Sequence, residues 1–382
     1  AWVTQVVVAN DGSVYHIGTF QDTVDFDPGV GTFEMMRYVP TNYIAKYDAS
    51  GNFIWAKKFN GTPFILDCKT DHAGNVYLSG SVHDLILDTT FTNNPITITS
   101  NGPTDAIILK LNSFGQLQWI KTFGNSEYGD AQTFCVDEDE NVYVFGNFGG
   151  LTDFDPGPGV YNLNSKTPFC DFYLMKLDAN GDFTWAKAMG GNQVDAVYNC
   201  CFDHQHNIYI TGRFSDSVDF DPGVTEYKIS AGAYDSVNHT WPANLFLLKI
   251  DTAGNFKWVK QTHASISDYP KIIADMSGNV YLADQFLNSI KFAPGGNAAE
   301  LNNQNAYYDG YIAQWDSSGN FMWANQLAGT GDCKINAIST DDAGNIFIGG
   351  YFKDTLKYNT NNLNDQFVSP NKSADIFFMK LN

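Results

Sequence analysis

The sequence predicts an all-β fold, a six-bladed β-propeller of four-stranded antiparallel blades, and three observations support this fold class. A Trp-containing segment recurs at intervals of 64 to 73 residues, a second apolar segment occurs six times, and no helical periodicity of useful length is present. Four-stranded repeats cannot cover both of their faces alone, so they must stack on neighbours, and closure into a ring protects the outermost ones.

The Trp-containing segment predicts a tight turn followed by a strand. Its pattern is Asp-x-x-Gly-x-apolar-x-Trp, as in the stretch from Asp48 to Trp55. The Asp side chain accepts hydrogen bonds from turn amides while the Gly adopts a positive φ, which is the chemistry of a hairpin turn. Apolar residues then alternate with the period of a strand. The segment ends at Trp55, Trp119, Trp185, Trp258 and Trp323.

Two further segments complete each unit. One is a strand of the pattern Asn-Val/Ile-Tyr, with an Asp four residues before the Asn that again marks a tight turn. The other is an apolar strand that ends in Lys, as in the stretch from Asp105 to Lys110. With the segment before the first turn, each unit consists of strand a, tight turn, strand b, long loop, strand c, tight turn and strand d. The aromatic positions of strand b are Tyr15, Tyr77, Tyr143, Tyr209, Tyr281 and Phe347.

We expect one propeller domain over residues 1–382. Its consecutive units lie at approximately 1–60, 61–125, 126–191, 192–262, 263–328 and 329–382. The sixth unit stops after strand c. Either this blade has three strands, or the parent chain continues beyond residue 382, in which case a seventh blade is a further expectation.

These units resemble the bacterial β-propeller repeat called SBBP. The resemblance rests on Asp-x-x-Gly-Asn-Val/Ile-Tyr-apolar-x-Gly followed by a Lys-ending strand and Asp-x-x-Gly-Asn-Phe-x-Trp, and it covers nearly the whole chain. It implies a secreted or cell-surface bacterial protein, often with C-terminal sorting or adhesive domains, and hardly any chemistry. Glu140 and His206 replace the Gly of the a–b turn, and Asp284 replaces the Gly of strand b, so we expect altered turns in those repeats.

Composition limits the classes of partner. The formal net charge is −20, which repels phosphate backbones and anionic membranes, so we expect no nucleic-acid partner. No run of apolar residues is long enough to span a bilayer, so we expect no membrane insertion. The chain begins at Ala1 without a leader, which is typical of a mature or excised piece. The six Cys residues are interpreted either as buried hydrophobes or as one or two disulfides.

Three of the b–c loops open with the same five residues, Asp-Phe-Asp-Pro-Gly. One hypothesis is a calcium site, because paired carboxylates suit a hard cation. The alternative is a structural turn with the Phe directed inward, since calcium loops usually offer three or more oxygen side chains in quick succession. The carboxylates concerned are Asp25 and Asp27, Asp153 and Asp155, and Asp219 and Asp221.

The long-loop end of the propeller is the predicted position of any binding site. Acidic residues of the d–a connections are predicted to line the mouth of the central channel and to hold a cation or an amine, or alternatively to cap loops by accepting amide hydrogen bonds. The aromatic residues of the longest loop either bind a glycan or protein or pack on a neighbouring blade. These candidates are Asp130, Asp195, Asp268, Asp332, Tyr234 and Trp241.

Three Asp-Ser/Thr-aliphatic segments are similar to an acceptor pattern of bacterial O-glycosylation. Their hydroxyl residues are Thr23, Ser217 and Thr355. The alternative interpretation is that each is an ordinary strand end within the repeat.

We find no nucleophile elbow, zinc-protease motif or phosphate-binding loop. The sequence therefore predicts a non-catalytic, secreted or surface-displayed bacterial propeller that serves as a binding, adhesion or assembly module. Its expected partners are a cell-surface protein or glycan, or export machinery. One alternative is a passive spacer or cargo domain of a larger exported protein. A propeller glycosidase or lyase is the other.

Overall fold

The computed structural model describes residues 1–166, 170–223, 225–232, 234, 236, 242–265, 269–292, 299–303, 305–341, 343–358, 366–370 and 373–381. These residues form β-strands joined by turns and loops, and they divide into two compact units, Ala1–Ala188 and Met189–Asn382. Within the described ranges, no helix has the length and apolar character needed to cross a membrane.

The first unit contains three repeats of antiparallel sheet, with orders β1-β2-β3-β4, β5-β6-β8-β9 and β10-β11-β14-β15. The short strand β7 pairs with β6, and β12 pairs with β13 as a separate ribbon in the third b–c loop. The strands are β1 (Trp2–Val8), β2 (Val14–Asp25), β3 (Glu34–Tyr47), β4 (Phe53–Lys58), β5 (Asn60–Thr70), β6 (Val76–Leu87), β7 (Ile96–Thr99), β8 (Asp105–Leu111), β9 (Leu117–Phe123), β10 (Thr133–Val136), β11 (Val142–Phe148), β12 (Leu151–Asp153), β13 (Asn162–Asn164), β14 (Asp171–Leu177) and β15 (Phe183–Met189).

The second unit repeats the same order of pairing in β16-β17-β20-β21, β22-β23-β25-β26 and β27-β28-β31. Short pairings at the loop ends join β21 to β23 and β26 to β29. The strands are β16 (Ala196–Phe202), β17 (Asn207–Ser215), β18 (Ser217–Asp219), β19 (Lys228–Ser230), β20 (Ala243–Asp251), β21 (Phe256–Ser265), β22 (Lys271–Ala274), β23 (Val280–Lys291), β24 (Glu300–Asn302), β25 (Asp309–Trp315), β26 (Phe321–Gly329), β27 (Cys333–Thr340), β28 (Ile346–Lys353), β29 (Thr355–Tyr358), β30 (Gln366–Val368) and β31 (Ala374–Leu381).

The apolar cores of each unit lie between the sheets of successive repeats. One core combines Ile17 and Ile44 of the first repeat with Leu78 and Leu109 of the second. Equivalent cores join repeats two and three, four and five, and five and six. Both faces of strands b and c are buried, as in β8 and β11, and this explains why their sequences are almost continuously apolar.

The tryptophans of strand d fasten one repeat to the next. Trp119 donates its indole N–H to the carbonyl of Ala179 in the c–d turn of the following repeat, over 3.0 Å. Its ring lies against Gly181 of that turn, where a Cβ would approach within 3.0 Å of the indole. Gly181 has φ +75°, which costs L-residues with a side chain additional energy. The turn Gly therefore serves both backbone geometry and packing.

A lysine of strand c reinforces this contact. The carbonyl of Ser113 accepts hydrogen bonds from Trp55 and from Lys46, each over 3.2 Å. In the second unit, the carbonyl of Ser317 accepts from Trp258 over 3.1 Å and from Lys249 over 3.0 Å. The Lys that ends strand c is thus a structural donor to the adjacent repeat.

The a–b turns of repeats three and four keep the geometry of the other turns, so our expectation of altered turns is wrong. Glu140 and His206 adopt left-handed φ values of 63° and 60°, as the Gly residues do elsewhere. Their amides donate to the carbonyls of Asp137 and Asp203, as Gly74 donates to Asp71. The surrounding hydrogen bonds impose a conformation that local sequence disfavours.

Asp284 stands in strand b where the third repeat has Gly146. In the third repeat, a Cβ on Gly146 would lie 2.0 Å from the carbonyl oxygen of Asp130, which precedes β10. In the fifth repeat, the position equivalent to Asp130 is Asp268, which lies outside the described residues. Asp284 itself is fully buried in β23.

Two Gly→Ala variants separate packing from backbone strain. Gly51 has φ +83° and open space around it, whereas a Cβ on Gly181 would meet Trp119 and Lys121. We expect Gly51→Ala to lower the free energy of unfolding by about 1 kcal/mol, and Gly181→Ala to lower it by a further 1–3 kcal/mol, roughly. Urea unfolding of both variants measures the difference. Equal losses would contradict the packing role of Gly181.

Candidate functional site

Every sheet has a turn end and a loop end. The a–b and c–d turns are short hairpin turns, such as the five-residue turn in which Asp48 accepts the amides of Ser50 and Asn52 over 2.8 and 2.9 Å. The b–c connections lie at the opposite end and are longer and more varied in length. The candidate site residues lie on these loops and on the neighbouring d–a connections.

The Asp-Phe-Asp-Pro-Gly loops are held by their own carboxylates. Asp153 accepts the amides of Asp155 and Tyr161 over 3.1 and 2.8 Å, and Asp155 accepts the amide of Gly157 over 2.8 Å. The loops that begin at Asp25 and Asp219 repeat these contacts. Each first Asp therefore closes an eight-residue loop through backbone amides.

The closed loop positions two aromatic rings, that of the Phe in the motif and that of the residue at the end of the loop. Phe154 is buried and its ring centroid lies 4.8 Å from that of Tyr173. Tyr161, whose amide Asp153 holds, covers Phe183 of strand d with centroids 5.0 Å apart. The same pair of contacts occurs in repeats one and four. The loop motif thus seals the outer edge of its own sheet.

The structural-turn interpretation accounts for one oxygen of each of these carboxylates. In the described part of the chain, no group of three or more His, Cys, Asp or Glu residues is arranged to hold a metal ion. A calcium ion at these loops would have to draw its remaining ligands from backbone carbonyls and water. Calcium binding therefore stays a hypothesis that the loop geometry does not require.

Two of the d–a aspartates are buried caps. Asp130 accepts the amide of Asn147 over 2.8 Å and the hydroxyl of Tyr128, and burial raises the pKa of its carboxyl. Asp195 is fully buried and accepts the amides of Gly191 and Ser215 over 2.7 and 3.0 Å. Their side chains hold loop backbone and do not present carboxylates to a ligand, in agreement with the capping alternative.

The remaining candidates of this group differ from one another. Asp332 is partly exposed and forms an ion pair of 3.0 Å with Lys353. Tyr234 is exposed. Asp268 and Trp241 lie outside the described residues.

The three Asp-Ser/Thr-aliphatic segments lie where the pairing of strand b is interrupted. Asp22, Asp216 and Asp354 adopt φ values of 65°, 57° and 63°, a conformation that Asp tolerates better than most residues. Of the hydroxyls that follow, Thr23 is exposed, Ser217 is half-buried in β18, and Thr355 bonds to Thr330 over 2.8 Å. The interrupted pairing gives the pattern a structural role, and Thr23 is the most exposed of the three hydroxyl residues.

The acids that begin strand c were not among the predicted site residues. Asp105, Asp171 and Asp309 are buried at the loop ends of β8, β14 and β25. Asp171 accepts the amide of Lys166 over 2.7 Å, and burial raises its pKa to about 6. The recurring Asp ahead of an apolar strand was the available signal.

Two cysteines are core residues. Cys68 and Cys333 are fully buried within inter-repeat cores. Burial raises the pKa of the Cys68 thiol and raises that of Cys333 to about 12, so neither is a reactive thiolate at neutral pH. Both act as small hydrophobes.

No protein-family model matches the chain. It is similar to an uncharacterised WD repeat-containing protein of Acanthamoeba polyphaga mimivirus, with 25% identity over 367 residues. It is also similar to the regulatory protein FlaEY of Caulobacter vibrioides, with 26% identity over 324 residues. Each match covers 81% of this chain but only 26% and 32% of the relatives, so the chain spans about a quarter to a third of their length.

The chain is a β-propeller repeat protein. The WD-repeat relative and the recurring four-stranded sheets agree on this point. Quinohemoprotein alcohol dehydrogenase of Comamonas testosteroni is a structural neighbour with 12% identity, covering 92% of this chain and 71% of its own. Its TM-score is 0.36, which carries no argument about fold or activity. The narrower resemblance of this propeller to SBBP repeats stays a prediction.

Variants of Asp153 distinguish amide capping from cation binding in this propeller. Asn retains the oxygen that accepts the amides of Asp155 and Tyr161, whereas Ala removes it. We expect Asp153→Ala to lower the free energy of unfolding by about 1–2 kcal/mol and Asp153→Asn to change it little. Urea unfolding with and without calcium checks this. Equal losses in both variants, together with calcium-dependent stability of the unaltered chain, would favour the cation site.

Asp171 predicts a pH dependence of stability. The pKa of Asp171 is about 6 in the folded chain, whereas its ordinary value is 3.8. The protonated carboxyl therefore stabilises the folded chain fully below about pH 4, and this stabilisation is lost as the pH rises through 6. Asp171→Asn cannot ionise and keeps an acceptor for the Lys166 amide. We expect the unaltered chain to lose up to about 2–3 kcal/mol relative to this variant between pH 4 and 7. A pH-independent difference in urea unfolding would refute the raised pKa.

Proposed function

We propose that this propeller is a non-catalytic binding module whose b–c loops dock a protein partner. The observation that carries the proposal is the first b–c hairpin, where β2 and β3 extend beyond the body of their sheet and expose Met36, Tyr38 and Val39. Tyr38 is 78% exposed. Large apolar side chains gathered on a projecting hairpin are typical of a protein-binding surface.

The loop is rigid enough to act as a preorganised surface. Asp25 fixes the tip by accepting the amides of Asp27 and Phe33, and Phe33 packs on Phe53. Preorganisation lowers the entropic cost of association. The net charge of −20 favours a neutral or basic partner surface around the apolar centre.

The wider role is also part of the proposal. We propose that the six repeats form six blades, which class averages from electron microscopy would count. We propose further that the protein is secreted or displayed at a bacterial surface, on the basis of its SBBP-like repeats. Protease treatment of intact cells that leaves it undigested while cytosolic markers survive would contradict surface display.

Two variants test the docking role of the first hairpin. We expect the full chain to retain a protein from a cell-surface extract of its own organism, and expect Tyr38→Ser to weaken retention at least about tenfold. Phe114→Ser is the matched control, because Phe114 is similarly exposed but lies in a c–d turn. Quantitative mass spectrometry measures retention. Equal retention by all three chains would contradict docking at the first hairpin, and retention by none would favour the passive spacer.

A further inference from the structure

A cavity of about 380 Å³ opens between the fourth and fifth repeats, inside the second unit. Its volume lies within the range of small-molecule sites. One wall is formed by strand d of repeat four and by its b–c loop, and the other by the c–d hairpin of repeat five. The residues that define it are Tyr227, Lys260, Gln261, Phe292, Asn320 and Phe321, and we call it the Lys260 cavity.

The corresponding space between repeats one and two is filled. Phe91 of the second b–c loop is buried there and packs on Phe59, with ring centroids 5.1 Å apart. Lys57, the counterpart of Lys260, donates a hydrogen bond to the carbonyl of Thr90. At this junction Phe91 occupies the space, and the Lys57 ammonium has a hydrogen-bond acceptor within the protein.

Between repeats two and three, the same two requirements are met by different residues. Lys121, the counterpart of Lys260, forms an ion pair of 3.2 Å with Asp182 of the next repeat. Tyr161 covers Phe183, the counterpart of Phe321. At this junction the protein itself supplies an anion for the lysine, and an aromatic ring covers the phenylalanine.

Two residue differences remove both features at the Lys260 cavity. Asn320 occupies the position of Asp182 in the c–d turn, so the carboxylate is lost. Ala299 occupies the position of Tyr161, as shown by the shared hydrogen bond from the loop Phe amide to its carbonyl, so the covering ring is lost. Space and an uncompensated cation therefore coincide.

The side-chain ammonium of Lys260 has no hydrogen bond or ion pair with any described residue. Its ammonium contacts only the ring of Trp258, at 5.9 Å from the centroid, and its stem lies along the turn at Gly319. Gln261 follows Lys260 in β21, so its side chain is directed to the other face of the sheet, where it accepts a hydrogen bond from Asn244 over 3.4 Å. Asn320 donates to Asp316 over 2.8 Å, which leaves its oxygen as an acceptor.

We propose that the Lys260 cavity binds a small organic carboxylate that carries a ring-sized body. Lys260 takes the carboxylate, replacing the anion that Asp182 supplies at the junction of repeats two and three. The rings of Tyr227 and Phe321 face the body of the ligand, and Asn320 accepts from a hydroxyl where one is present. This site goes beyond the protein-docking role of the first hairpin and does not depend on it.

The sources of such a carboxylate are distinguished by matched probes. Glucuronate represents a sugar acid and phenylacetate an aromatic acid, and glucose and benzyl alcohol are their neutral counterparts. We expect at least one acid to bind the full chain with a dissociation constant below about 10 mM, and its neutral counterpart to bind at least tenfold more weakly. Titration calorimetry or ligand-observed NMR measures both, and the tighter acid identifies the ligand class.

Three variants locate the binding. Lys260→Gln removes the cation, and Asn320→Asp restores the internal ion pair that repeat three already tolerates, so both should weaken acid binding at least about tenfold without unfolding the chain. Lys121→Gln is the control at the filled junction and should leave binding unchanged. If neither acid binds, or if binding survives both Lys260→Gln and Asn320→Asp, the proposal is wrong.

Discussion

The contact between a tryptophan of one repeat and the c–d turn of the next is the interaction on which the rest of the structure depends. Trp119 both donates to Ala179 and fills the space that Gly181 leaves without a side chain. The contact joins a polar hydrogen bond to a large buried apolar area, so it fixes distance and direction together. Because each sheet leaves its broad faces apolar, this fastening determines where the inter-repeat cores can form.

Many of the Asp side chains accept hydrogen bonds from backbone amides of the same chain. Asp48 holds a turn, Asp153 closes a loop, and Asp195 caps a connection, each through amide donors. A carboxylate used in this way stabilises local structure and loses the capacity to serve a ligand with the same oxygen. A functional site in this protein is therefore better sought where the repeat departs from its own pattern, as at Asn320 and Ala299.

Much of the fold could be predicted because its determinants are local. The Asp-x-x-Gly turns and the Phe-x-Trp alternation each encode their geometry within eight residues, and the four strands of each repeat follow from them. The site was less accessible to such reasoning. The sequence around Asp153 would be the same in a calcium loop and in a capped turn, and the positions of the amides that Asp153 accepts could not be read from it. Glu140 adopts a left-handed φ because tertiary contacts impose it, and the Lys260 cavity arises from residues distant in sequence.

Hydrogen exchange of the indole N–H groups tests the fastening of successive repeats most directly. Trp119 is bonded to Ala179, whereas Trp2 is 68% exposed and serves as an internal reference in the same spectrum. We predict that the indole N–H of Trp119 exchanges with deuterium at least about a hundredfold more slowly than the indole N–H of Trp2. Exchange of both indoles at the same rate would contradict it, because an indole that held two repeats together could not be open to solvent.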